Sequence, residues 1–144
     1  MSVQSADDSL ALLVGRTAKD LTRAFDDVLA AAGGSGPVWS VLLALSSGDH
    51  STQGGLAEAV GVRQPTLTHH LDAMERAGLV TRDRDPGNRR VQKVTVTKAG
   101  EALFLRLRRA AAAFDGRLRA GLGDGDVAEL RRLLAQLAEN ARPD

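Results

Sequence analysis

Cysteine is absent from the sequence. Its absence excludes disulfides, thiolate nucleophiles and Cys-type zinc sites together, and suits a reducing cytoplasm. Aromatic side chains are nearly as scarce, with one Trp, three Phe and no Tyr. Proteins that read single strands or RNA stack bases on aromatic rings, and this chain has too few to build such a platform. Long apolar runs are missing too. Nothing approaches a membrane span, and "MSVQSADDSLALLVGRTAKD" lacks the basic start and apolar run of a signal peptide. The expectation is a soluble, cytoplasmic protein.

Chemistry-bearing constellations are also lacking. His50, His69 and His70 are the three histidines, and adjacent residues on a helix project about 100° apart, a poor arrangement for a shared metal ion. No nucleophile elbow, Gly-rich phosphate loop or paired-carboxylate motif organises the Ser, His and Asp residues. The expectation is no catalytic site, no metal, no cofactor and no enzyme activity.

The 144 residues suit one domain with a core of its own. The net charge is only +1, so attraction to an anionic partner must come from local clustering. Arginine outnumbers lysine and alanine is abundant, a bias that a GC-rich coding sequence also produces.

Periodicity divides the chain. Leu10, Leu13, Val14, Ala18, Leu21, Phe25, Val28 and Leu29 recur at three- and four-residue steps, the stripe of an amphipathic helix that should stop near "AAGGSG". Ser35 offers an N-cap with Pro37 in the first turn, and "VWSVLLAL" is apolar on most faces, as in a buried helix. "GGLAEAVG" reads as a short helix with a loose first turn, because Gly54 and Gly55 each cost about 0.8–1 kcal/mol in a helix interior. "RQPTLTHHLDAMERAG" makes another helix with Leu67, Leu71 and Met74 inward and Gly78 as its stop. "LVTRDR" and "VQKVTVT" are β-branched, with Val94 and Val96 on one face, and form a hairpin around Asp-Pro-Gly-Asn. Thr97 caps a long helix, "GLGDGD" breaks it, and a last helix carries Val127, Leu130, Leu134, Leu137 and Ala141. The terminal helices carry more apolar stripe than one small core can cover, which predicts a homodimer.

Within "GLAEAVGVRQPTLTHHL", Ala57, Gly61 and Leu67 have helix-turn-helix spacing. A small residue lets two helices approach, Gly supplies a left-handed turn, and a buried aliphatic holds the second helix to the first. The inward stripe turns Pro65, Thr68, His69 and Asp72 outward, with Arg63 and Gln64 at the leading end. Gln pairs with adenine, Thr meets a base edge or a thymine methyl, and His donates to guanine or phosphate; an ordinary polar helix face would look the same. The charged hairpin weighs on the first side. From Arg63 to Lys98, eight basic side chains face four acidic ones, so a near-neutral chain concentrates positive charge where a reading helix and a wing would lie.

These motifs make the sequence similar to the MarR family of transcriptional regulators. The resemblance runs from Pro37 and Trp39 through "LAEAVGV", "PTLTHHLDAMERAGLV" and "RDRDPGNRR" to "VTVTKAGEAL". It implies a mainly α fold with a small β-hairpin wing, as one domain over 1–144. Residues 35–97 would form the winged helix-turn-helix lobe, and 8–34 and 98–144 the dimerisation helices. It also implies a dimeric regulator of a pseudo-palindromic duplex, commonly a repressor released by a small phenolic or aromatic acid effector.

The DNA contacts expected on this resemblance are Arg63, Gln64, Pro65, Thr66, Thr68, His69, Arg82, Arg84, Asn88, Arg89 and Arg90, with Arg90 as the arginine that enters the minor groove. A guanidinium suits the enhanced negative potential of a narrow groove. The chain departs from the family at Asn88, where an acid usually braces the wing, at His70, an aliphatic position, and at Arg63, which replaces a capping side chain. His70 reads as a partly buried histidine with one hydrogen bond, or as a pH or ligand sensor. Arg16, Trp39 and His50 fall where an effector pocket would lie, though Trp39 equally suits the core. A different class of function stays open: a winged-helix module for protein–protein contacts, whose wing charges are only a solvated surface.

Overall fold

The computed structural model describes residues 9–48 and 52–144, apart from the side chains of residues 89 and 90. The elements run α1 (Leu10–Ala31), α2 (Gly36–Ser46), α3 (Gln53–Val60), α4 (Gln64–Arg76), β1 (Val80–Asp85), β2 (Asn88–Val96), α5 (Lys98–Leu118) and α6 (Asp124–Asn140). This is the expected mainly helical architecture with one antiparallel hairpin.

Side-chain caps set the helix starts. Ser9 Oγ accepts from the Leu12 amide and Ser35 Oγ from Val38, each at 3.3 Å, with Pro37 in the first turn of α2. In α3 the structure corrects the expected loose start. The helix begins at Gln53, so Gly54 and Gly55 lie in the first turn, where Thr52 Oγ1 accepts from the Gly55 amide at 3.2 Å. Their interior penalty is thereby reduced, because first-turn amides need a cap and not a helix partner.

The chain folds as two compact units, with the boundary inside α5 between Ala111 and Ala112. The core of the first unit draws Leu29 from α1, Val41 and Leu42 from α2, Leu56 from α3, Leu67, Leu71 and Met74 from α4, Val80 and Val94 from the strands, and Leu103 and Leu107 from α5. Each fully buried aliphatic of this kind contributes roughly 1.5–3 kcal/mol. Thr97 joins the hairpin to α5. Its amide donates to the Leu79 carbonyl at 3.0 Å, and its hydroxyl donates to the Gly78 carbonyl at 2.6 Å and accepts from the Gly100 amide at 3.1 Å.

In the second unit Phe114 is buried, with the Arg117 guanidinium 5.0 Å from its ring centroid. The Gly123 amide donates to Asp126 Oδ2 at 2.8 Å where α6 begins. Each unit leaves apolar side chains in solvent: Leu10, Leu12, Leu13, Val14 and Leu21 on α1, and Leu130, Leu133 and Leu134 on α6. Among the described residues no single helix is long and apolar enough to cross a membrane, and α1 and α2 pass that test only together, across a 79° bend.

Candidate nucleic-acid interface

The helix-turn-helix forms because three positions meet the needs of close packing. Ala57 and Leu67 are 5 % and 0 % exposed, and Gly61 takes φ +78° and ψ +30°, the left-handed region that a side chain disfavours. The amides of Gly61 and Val62 then donate back to the Ala57 carbonyl at 3.0 and 3.1 Å, and α4 leaves the turn. Its start carries no side-chain cap at Arg63, as the missing Ser or Asp predicts.

The outer face of α4 is polar and exposed at Arg63, Gln64, Pro65, Thr66 and His69. Thr68 is half-buried; its hydroxyl accepts from Gln53 Nε2 at 2.7 Å and donates to the Gln64 carbonyl at 3.0 Å. The helix that would read bases is thus tied near its leading end to α3. His70 is half-buried, its ring centroid 6.0 Å from that of His69. It lines a small hollow with Pro37, Val38, Ala73 and Leu79, and no hydrogen bond to it is seen among the described residues.

The wing is the β1–β2 hairpin. Val80 faces Val96, Arg82 faces Val94, Asp83 faces Lys93 and Arg84 faces Gln92, with a bulge at Arg84/Asp85 before the turn. Asp85 Oδ1 accepts from the Gly87 amide at 2.9 Å, the side-chain turn that suits Asp before Pro-Gly. A bridge between Thr52 and Lys93 ties the segment before α3 to the wing. Arg84 and Asn88 are exposed near the tip, and Arg89 and Arg90 occupy β2 beside them.

Arg82 departs from Arg84. Its Nη2 lies 2.5 Å from Asp72 Oδ1 and its Nε 3.2 Å from Glu75 Oε2, with the side chain only 15 % exposed. The hydrogen bond to Glu75, then that to Asp72, raises its pKa above the ordinary arginine value. Asp72, expected to face outward with the base-reading residues, is likewise engaged within the fold.

Between the leading ends of α3 and α4 and the wing lies a polar cleft of about 630 Å³, lined by Thr52, Gln53, Gly54, Gln64, Arg84, Val91 and Gln92. Of the expected contacts, Gln64 and Arg84 meet here. Gln53 and Gln92 join them without having been singled out, and the alternation of β2 would have found Gln92, which shares the face of Val94. The cleft offers amide donors and acceptors beside the guanidinium of Arg84, a set suited to phosphate oxygens and base edges.

A family model described as MarR family matches residues 36–92, the span that holds α2, the helix-turn-helix and most of the wing. That span is similar to a MarR-family domain. Solved structures agree over almost its full length. The transcriptional repressor CouR bound to a 23-mer DNA duplex matches with a TM-score of 0.85 at 27% identity, covering 96% of this chain and 98% of that one. CouR from Rhodococcus jostii RHA1 bound to p-coumaroyl-CoA gives 0.78 at 26%, covering 98% and 99%. The regulator MOSR of M. tuberculosis in complex with DNA gives 0.73 at 28%, covering 94% and 99%.

A second cavity, of about 330 Å³, is lined by Leu42, Leu45, Ser46, Thr95, Val96, Glu101 and Phe104. Trp39 stacks on Phe104, ring centroids 5.6 Å apart at 19°, and so backs the wall without lining the space. Arg16 is exposed on α1 and lines neither cavity. His50 lies outside the described residues. The three expected pocket residues are therefore not brought together, whereas Phe104, which was not singled out from the sequence, forms the wall.

Proposed function

We propose that the protein is a dimeric regulator that binds double-stranded DNA at a pseudo-palindromic site, as a repressor released by a small aromatic effector of phenolic type. The observation that carries this reading is the cleft that α4 shares with the wing, where Gln64 and Arg84 line one polar groove beside the exposed Arg63, Thr66 and His69. A reading helix fits the major groove while a neighbouring hairpin reaches the flanking minor groove. Gln64, Pro65, Thr66, Thr68 and His69 meet base edges; Arg63, Arg84, Asn88 and Arg89 meet phosphate and sugar; Arg90 enters the minor groove.

The exposed leucines of α1 and α6 are covered by a second copy, because apolar stripes of that length are unfavourable in water. On this reading residues 35–97 are the DNA-binding lobe, and 8–34 and 98–144 supply the dimer helices of a single functional domain. Such a regulator works in the cytoplasm, on DNA, with no catalytic step of its own.

The effector enters the cavity beside Phe104. Leu42, Leu45 and Val96 suit an aromatic ring there, and Ser46 and Thr95 suit its hydroxyl. The repressor bound to DNA and its p-coumaroyl-CoA complex support this pairing of a duplex with an aromatic acyl ligand. The test is selection of bound duplexes from a random pool, followed by screening of phenolic compounds for release. Recovery of one palindromic sequence and its release by a member of the screen is the expected result.

A further inference from the structure

We infer that Arg82 is a positioning residue that sets the angle between the reading helix and the wing, and does not itself touch nucleic acid. The inference rests on the duplex-binding reading above and assigns a role within it. Arg82 shares its strand face with Val80, which is 1 % exposed, and stands opposite Val94, which is 3 % exposed. Strand alternation therefore turns the guanidinium toward the body of the first unit; Arg84, on the same face but two residues further out, opens into the polar cleft.

On α4, Asp72 and Glu75 stand one helical turn apart, and each is bonded to a different nitrogen of the same guanidinium, at 2.5 and 3.2 Å. The rigid planar fork of arginine holds two carboxylates in one geometry, which a lysine ammonium cannot do. Exposed ion pairs add little to stability, so the consequence of this one is directional. It fixes the trailing half of α4 to the base of the wing, while the bond between Gln53 and Thr68 fixes the leading half to α3. The helix is held at both ends.

The same contact has an electrostatic consequence. Asp72 and Glu75 are the acidic side chains of α4, and both are about half exposed, at 49 % and 44 %. Arg82 neutralises them where phosphates would approach. To reach a phosphate, its guanidinium would have to abandon both and leave two carboxylates facing the duplex.

The test compares wild type, Arg82→Ala, Arg82→Lys, the double variant Asp72→Asn/Glu75→Gln, and Arg84→Ala as a phosphate-contact control. Each is measured on the selected duplex and on an unrelated duplex across a salt series, with thermal melts run alongside. For Arg82→Ala we expect the ratio of the two affinities to fall about tenfold, the equivalent of one mismatched base pair, with the salt slope unchanged. Arg82→Lys should recover only part of that ratio. The double variant should lose discrimination as well, with a steeper salt slope because a freed Arg82 now reaches phosphate.

The inference is overturned if Arg82→Ala weakens both duplexes equally and lowers the slope by about 0.9, as one lost phosphate contact would. Full discrimination in the double variant would also overturn it, and that variant decides the matter should Arg82→Ala fail to fold. Failure of wild type to bind any duplex would instead remove the underlying reading, so the two failures are separable.

Discussion

Gly100 packs directly on the Leu79 carbonyl: a Cβ at position 100 would lie 2.2 Å from that oxygen and 2.7 Å from Val96 Cγ1. The oxygen is main chain, tied to the Thr97 amide at 3.0 Å, and cannot swing aside. Gly100→Ala should therefore force the end of the hairpin away from α5 and cost about 1–3 kcal/mol, the usual penalty of overpacking. A fall in the urea midpoint at unchanged slope checks this. An unchanged midpoint would mean that the junction yields freely.

Arg84 opens into the cleft beside Gln64 and Gln92, in contrast to Arg82. Arg84→Ala should weaken binding to all duplexes alike and reduce the slope of log K against log salt by about 0.9. Arg90→Ala should weaken binding most on sites with A·T-rich flanks, where the minor groove is narrow. Fluorescence anisotropy over a salt series distinguishes the two patterns.

His69 is exposed on the outer face of α4. His69→Ala should change which base pair is preferred at one position of each half-site, with a loss of about 1–3 kcal/mol at that base and little change on unrelated DNA. Comparing duplexes selected by wild type and variant is the check.

Leu13 and Leu134 are 57 % and 44 % exposed in the single chain. Replacing either by Glu places a charge in an apolar stripe that the proposed dimer would bury, and should yield half the dimer mass by sedimentation at micromolar concentration. Wild type should give the dimer mass, with reading helices about one DNA turn apart, roughly 34–36 Å. A wild-type monomer would contradict the dimeric arrangement.

Much of this was legible in the sequence, for identifiable reasons. Leu67, Leu71 and Met74 recur at helical spacing, and burial at 0 %, 0 % and 2 % follows from that period. Ser35, Gly61 and Thr97 occupy positions where a cap or a left-handed turn admits few residue types. Arg82 was harder to place. Charge groups it with Arg84, and so does the period of two that begins at Val80; it is Arg82, nearer the base of the wing, that meets Glu75 and Asp72, seven and ten residues away on another element. Gln53 and Phe104 were missed because an amide at the first position of a short helix and an aromatic beside a helix's apolar stripe carry no local signal. The cleft and the stacked pair exist only once α3, α4 and the wing, or α2 and α5, have come together.

The most direct test of the central claim is the affinity of the intact protein for a selected duplex, titrated with salt from about 50 to 200 mM. A grip built from several phosphate contacts predicts a loss of roughly 10³–10⁵ in affinity over that range, with the selected sequence preferred throughout. No retained duplex at the lowest salt would contradict the account and favour a winged-helix module that binds protein.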